Sequence, residues 1–265
     1  VVKRALAKLK VAAEWFADVG RNAHEREFIR YVSRFLPGAV PALRDSPEGR
    51  DCFAMEFLGE GFRNWKQLLL KGEANVAHAA QAGELIATIH RQSAGDPEAM
   101  RLFDTTGNFF QLHIEPYLLA TGARHPDLRP LFEAEAMRLA ATRECLVHGD
   151  FSPKNILIGA DRMVLLDCEV AWYGDPAFDL AFCTTHLLLK AVWLDRADLQ
   201  AAAAAMVSAY AAEVDWEPPQ ALLARAGELT AALLLARIEG KSPAPYLTEP
   251  LHRQAVRRQA VTLLL

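Results

Sequence analysis

The chain has 265 residues, 52% of them apolar and 23% charged, with a formal net charge of −4. This is enough for one large domain or two lobes around a core, and the balance excludes an intrinsically disordered segment. A pI near 6.1 offers no basic face for tracking nucleic acid, and no apolar run reaches the roughly 18–20 residues a membrane helix needs.

Residues 1–13 predict a strand and then a turn. The spacing of Phe28, Ile29, Val32, Phe35 and Leu36 predicts a helix from Asn22 to Phe35, ended by Pro37-Gly38. After the turn-rich stretch Asp45–Asp51, Cys52–Leu58 reads as an apolar strand, and Gly59 and Gly61 mark a hinge between lobes. Helices follow at Val76–His90 and Asp127–Thr142, then short strands at Asn155–Ile158 and Met163–Leu166 around the polar turn Gly159-Ala160-Asp161-Arg162. Ala-rich helices around 197–213 and 219–239 dominate the remainder, with Leu229–Ile238 as a core segment. Cys52, Cys145, Cys168 and Cys183 lack metal-ligand spacing and read as free thiols of a reducing compartment, which implies a cytoplasmic protein. Val1-Val2-Lys3-Arg4 has neither an initiating Met nor a signal peptide, so the sequence is expected to begin inside a longer gene product.

The chemistry concentrates in residues 146–181. In Leu146-Val147-His148-Gly149-Asp150-Phe151-Ser152-Pro153-Lys154-Asn155, followed by the apolar Ile156-Leu157-Ile158, an Asp and an Asn five apart precede a strand. Phosphoryl transfer needs that pair: a carboxylate facing the acceptor hydroxyl and an amide oxygen reaching Mg²⁺ from the same side. Seventeen residues after Asp150, the strand Val164-Leu165-Leu166 delivers Asp167, with Glu169 close behind, where carboxylates can bridge Mg²⁺ to nucleotide phosphates. In Gly174-Asp175-Pro176-Ala177-Phe178-Asp179-Leu180-Ala181 a turn enters a helix, and Asp179 can brace the loop that carries His148. Each piece alone is a common turn or cap; their joint order is specific.

These motifs resemble the aminoglycoside phosphotransferase and choline kinase family, relatives of the protein kinases. The resemblance implies an α+β, two-lobed protein-kinase-like fold: a small β-containing nucleotide-binding lobe over residues 1–58, with its start missing, and a larger, mainly helical catalytic lobe over 59–265. It implies an ATP-dependent (or GTP-dependent) small-molecule kinase working with Mg²⁺. Asp150 is then the catalytic base, with His148 beside it as catalytic and loop-bracing residue. Asn155, Asp167 and Glu169 are metal ligands, and Asp179 is structural support. Lys3 is implied to hold nucleotide phosphates, paired with Glu27, for which Glu25 competes. Met55 and the backbone of Glu56 and Leu58 would line the adenine. Lys154 is expected as a solvated side chain with a phosphate contact. The glycine-rich loop of the family would precede Val1.

Glu169, where protein kinases carry glycine, resembles the subgroup that includes 5-methylthioribose kinase, as do Val1–Leu6 and Ala236–Gly240. This makes Arg237 an acceptor-site residue. His186 and Lys190 share a helical face; His186 is a further acceptor-site residue, and Lys190 is expected in solvent. Acidic and basic residues balance between 190 and 265, so no acidic cradle for a polycation stands out, and a neutral, hydroxylated acceptor fits best. The competing class is a nucleotide-binding pseudokinase or scaffold without turnover.

Overall fold

Short strands form where β-branched and apolar residues run between turns, and long helices form where Ala and Leu recur at helical spacing. The computed structural model describes residues 1–4, 21–45 and 52–265. The turn predicted after Val1–Arg4 and most of the turn-rich stretch before Cys52 lie outside the described residues.

The first region holds β1 (Val2–Arg4), α1 (Arg21–Ser33), a 3₁₀ turn (Pro37–Ala39), β2 (Leu43–Asp45) and β3 (Cys52–Met55). The three strands form an antiparallel sheet in the order β1-β3-β2, with Lys3 opposite Phe53. α1 buries Phe28, Ile29, Tyr31 and Val32. It ends at Ser33, short of the predicted Phe35, because the amides of Arg34 and Phe35 turn to the carbonyls of Tyr31 and Val32 three residues back. That tightened turn precedes Pro37, whose ring could not continue the helix.

The rest is mainly helical. β4 (Arg63–Asn64) runs into α2 (Trp65–Leu70), which Asn64 caps by accepting from the Gln67 amide at 3.3 Å. Next come α3 (Val76–Ser93), α4 (Pro97–Leu102) and α5 (Thr106–Phe109), the last continued by a π-wound stretch, Phe110–Leu119, and α6 (Ala120–Gly122). The wider winding accommodates Pro116, which lacks the amide an α-helix would use. After α7 (Arg129–Ala141) come β5 (Cys145–Val147), the hairpin β6 (Ile156–Ile158) and β7 (Met163–Leu165), and β8 (Trp172–Gly174). α8 (Ala177–Leu194), α9 (Ala197–Ala212), α10 (Pro219–Glu239) and α11 (Pro250–Leu264) complete the chain. The hairpin pairs with β4 in the order β4-β6-β7, and β5 pairs with β8, so both loops of residues 146–181 leave from anchored strands.

α3 lies against α9 so closely that a Cβ at Gly83 would stand 2.3 Å from the Met206 carbonyl. Contrary to the sequence expectation, α8 is long and apolar enough to span a membrane, with mean hydropathy 1.3. It is largely buried against α9 and α10 and behaves as a core helix.

Candidate active site

The loop between β5 and the 3₁₀ turn Pro153–Asn155 is held by hydrogen bonds to its own backbone. Asp179, fully buried near the start of α8, accepts from the His148 amide at 2.7 Å and the Gly149 amide at 3.0 Å, and it lies 3.2 Å from His90 Nε2. Gly149 sits at φ +80°, and a Cβ there would meet the Val170 carbonyl at 2.5 Å, so the turn requires glycine. His148 is buried and receives the Asp150 amide on Nδ1 at 3.2 Å, which leaves Nε2 to donate to the Leu166 carbonyl at 3.2 Å. Burial holds its pKa below the usual histidine value, in keeping with a neutral ring. Asn155 makes a second clasp: its side chain donates to the Asp150 carbonyl at 2.9 Å, and its own carbonyl accepts from the Leu166 amide at 2.8 Å. His148 and Asn155 thus fix the Asp150 loop to the end of β7. The ring of His148 has no access to a substrate, which corrects its assignment as a catalytic residue to that of a positioning one.

The residue next to Leu166 is Asp167, at φ +61°, an unusual backbone conformation for a non-glycine residue and one that marks a constrained site. Lys3 Nζ reaches Asp167 Oδ1 at 2.5 Å and Glu25 Oε1 at 2.8 Å. Glu27 is not the partner of Lys3. One helical step of two residues turns it to the outer face of α1, where it pairs with Arg30 at 2.8 Å and Arg26 at 3.3 Å. Burial opposes the charge on Lys3, but Asp167 and Glu25 together hold its pKa above the usual value. Burial pushes the Glu25 carboxyl up to about 7 against the pull of Lys3. Burial likewise opposes ionisation of Asp167, yet Lys3 holds it below the usual carboxylate range.

Carboxylate oxygens of Glu25, Asp167 and Glu169 all lie within 4.8 Å of one another. Such a hard-oxygen set suits Mg²⁺, and Asn155 stands beside it through the Leu166 backbone. Met55 is half-buried at the end of β3. Among the described residues neither the Glu56 carbonyl nor the Leu58 amide has a backbone partner, while the Glu56 amide is bound to Ala42. The Glu56 side chain pairs with Arg162 at 2.7 Å.

Asp150, Asp167 and Glu169 open on a cavity of about 320 Å³. Lys154 is not simply solvated: it pairs with Asp150 at 2.8 Å, and that carboxylate raises its pKa above the usual value. The far wall comes from α2, the π-wound stretch, α8 and α10. His186 and Arg237 line it, as does Lys190, which is 1% exposed rather than in solvent. Lys66, His113 and Tyr117 also line it and were not foreseen. The π-winding that presents His113 and Tyr117 has a trace in the sequence, Pro116 within an apolar helical run. Their rings stack at 5.5 Å, with His113 in turn on Phe109 and Phe109 on Trp172, a ladder leading from β8 to the cavity.

Comparison with known proteins agrees with this geometry. Residues 6–222 match the phosphotransferase enzyme family (APH). The methylthioribose kinase of Geobacillus kaustophilus is 25% identical over 229 residues, covering 76% of this chain and 56% of that protein. The methylthioribose kinase of Pectobacterium atrosepticum is 27% identical over 222 residues, covering 72% and 54%. The chain therefore spans about half the length of the curated relatives it matches. Among solved structures, a glucosamine kinase is similar with a TM-score of 0.56 and 19% identity, covering 90% of this chain and 69% of that one. An ethanolamine kinase of Plasmodium vivax gives 0.53 and 12%, covering 92% and 72%. The fold is the α+β, two-lobed kinase-like fold of these structures, and the chain belongs to the phosphotransferase enzyme family.

Proposed function

We propose that this chain transfers the γ-phosphoryl group of ATP (or GTP) to a hydroxyl of a small molecule. The observation that carries the reading is that Asp150 and Asp167 face one cavity on two loops clasped together by His148 and Asn155. Residues 1–58 would form the nucleotide-binding lobe and 59–265 the catalytic and acceptor lobe. The adenine edge would meet the Glu56 carbonyl and Leu58 amide, with Met55 against the ring. Lys3, steadied by Glu25, would hold the α- and β-phosphates. Asp167, Asn155 and Glu169 would hold Mg²⁺, which when bound neutralises phosphate charge.

Asp150 accepts the hydrogen bond of the acceptor hydroxyl and orients its oxygen in line with the γ-phosphorus. The new P–O bond forms as the bond to the bridging oxygen breaks, ADP leaves, and the hydroxyl proton passes to the Asp150 carboxylate. Lys154, paired with Asp150, keeps that carboxylate in place and adds positive charge where the phosphoryl group passes. His186 and Arg237 contact the acceptor. Four free cysteines suit a cytoplasmic protein.

Relatives that are methylthioribose kinases support a second reading of the acceptor, a sugar of that type. A nucleotide-binding scaffold without turnover is the alternative that the same assay separates. ADP release over an alcohol and sugar panel, together with thermal stabilisation by MgATP, should give turnover abolished by Asp150→Asn with nucleotide stabilisation kept. Nucleotide stabilisation with no turnover across the panel, or turnover unchanged in Asp150→Asn, defeats the kinase reading.

A further inference from the structure

The wall of the cavity opposite the Asp150 and Asp167 loops carries three basic side chains. Lys66 comes from α2, Lys190 from α8 and Arg237 from α10. None of them forms an ion pair with a carboxylate among the described residues. Lys190 Nζ donates to the His186 carbonyl at 3.0 Å and faces the Tyr246 ring at 5.3 Å. Arg237 Nη1 donates to the Ser242 hydroxyl at 3.0 Å and to the Ser242 carbonyl, with its guanidinium 5.9 Å from the Tyr117 ring centre. Its Nε is buried with no hydrogen-bond partner, as are His113 Nδ1 and the Tyr246 hydroxyl.

A buried guanidinium and a buried lysine without carboxylates are costly to keep charged, and a protein of this composition has acids enough to pair them. The two side chains are 1% and 8% exposed, so water does not compensate them as it would on a surface. His186, one turn before Lys190 on α8, is half-buried, and desolvation together with Lys190 and Arg237 holds its pKa well below the usual histidine value. Of the aromatic rings that line the cavity, Tyr117 and Tyr246 already face Arg237 and Lys190. The wall therefore repels a cation and holds free donors for an anion.

We propose that the acceptor of this site carries a fixed negative charge, a carboxylate or a phosphate ester, seated on Lys66, Lys190 and Arg237 while its hydroxyl faces Asp150. For the hydroxyl end this rests on the phosphotransferase reading above; the anion end stands on the wall itself. The buried donors Arg237 Nε and the Tyr246 hydroxyl complete the anion's hydrogen bonds.

The test is calorimetric binding to the full chain with MgADP, using pairs matched in hydroxyls and differing in charge: glycerate against glycerol, gluconate against glucitol, and a pentose phosphate against the free pentose. Choline serves as the cationic control. The anionic member of at least one pair should bind about tenfold tighter than its neutral partner, and the carboxylate and phosphate arms tell which anion the wall prefers. Lys190→Met, and the half-exposed Lys66→Met should Lys190→Met not fold, should erase that preference and leave the affinity for MgATP unchanged. Equal binding within every pair, a preference for choline, or a loss of MgATP affinity in place of the anion preference overturns the inference. Anion preference without phosphate transfer would leave the inference standing and remove the kinase reading; transfer to neutral acceptors with no anion preference would do the reverse.

Discussion

Lys3 and Glu25 meet at 2.8 Å across the gap between β1 and α1, and this contact ties the first sheet to the Asp167 loop through the same ammonium. The pair differs from Lys3–Glu27 in one testable respect. Glu25→Gln removes the partner that steadies Lys3 and, on the proposed phosphate-binding role of Lys3, should weaken MgATP binding about tenfold by calorimetry, the scale of one charged hydrogen bond. Glu27→Gln, on the outer face of α1, should leave it unchanged. Equal effects of the two substitutions would remove Glu25 from nucleotide binding.

Asp179 holds the His148–Asp150 loop through two backbone amides rather than through a side chain of that loop. In Asp179→Asn one acceptor oxygen becomes an NH₂ group facing another N–H, in a place with no water to relieve it. The expected loss is about 2–3 kcal/mol of unfolding free energy in urea, accompanied by a fall in turnover because Asp150 follows the same loop. A variant as stable as the parent would show that the amides find another acceptor.

Gly149 and Gly227 make a contrasting pair. Gly149→Ala drives a methyl into the Val170 carbonyl at a positive φ, and should cost about 1–3 kcal/mol. Gly227 lies within α10 with nothing within 4 Å of an added Cβ, so Gly227→Ala should add about 0.5–1 kcal/mol through helix propensity. Thermal unfolding of both variants measures this directly; a shift of the same sign in each would contradict the geometry.

The loops of the candidate site are legible in the sequence because their shape depends on local order. Asp150 and Asn155 lie between β5 and β6, and Asp167 lies just past β7, so the apolar residues that announce those strands also mark the three positions. Glu25 was harder to separate from Glu27, since both fit the helix and only the rotation of α1 against β1 decides which meets Lys3. Lys190 was misread for a related reason. A lysine on an apolar helix looks like a solvated end, and what buries it comes from α2, α10 and the segment at Tyr246, far away in sequence. The same holds for the length of α8, whose charged residues Asp179 and Lys190 interrupt the apolar run by eye without breaking the helix.

Lys190 gives the site a pH dependence whose sign follows from its surroundings. Its side chain is faced by Cys183 and His186 on α8, Lys66 on α2, Arg237 on α10 and Tyr246 beyond it. Burial first, then Lys66 and Arg237, lower its pKa from 10.5 to about 7. Below pH 7 the ammonium is charged in the folded and unfolded protein alike, and folding bears the full cost of burying it. Between pH 7 and 10.5 the unfolded chain holds a proton that the folded one has released, so this contribution to stability rises with pH across that window. Lys190→Met removes the term. Its stability relative to the parent should therefore be highest near about pH 6 and decline by on the order of a few kcal/mol towards about pH 10 in urea titrations. An anionic acceptor adds the opposite charge that the wall lacks and draws the proton back. Its affinity should fall as pH rises above 7 in the parent and stay level in Lys190→Met. A stability difference independent of pH would mean that Lys190 keeps an ordinary pKa in the folded protein, and the wall would then be open to water.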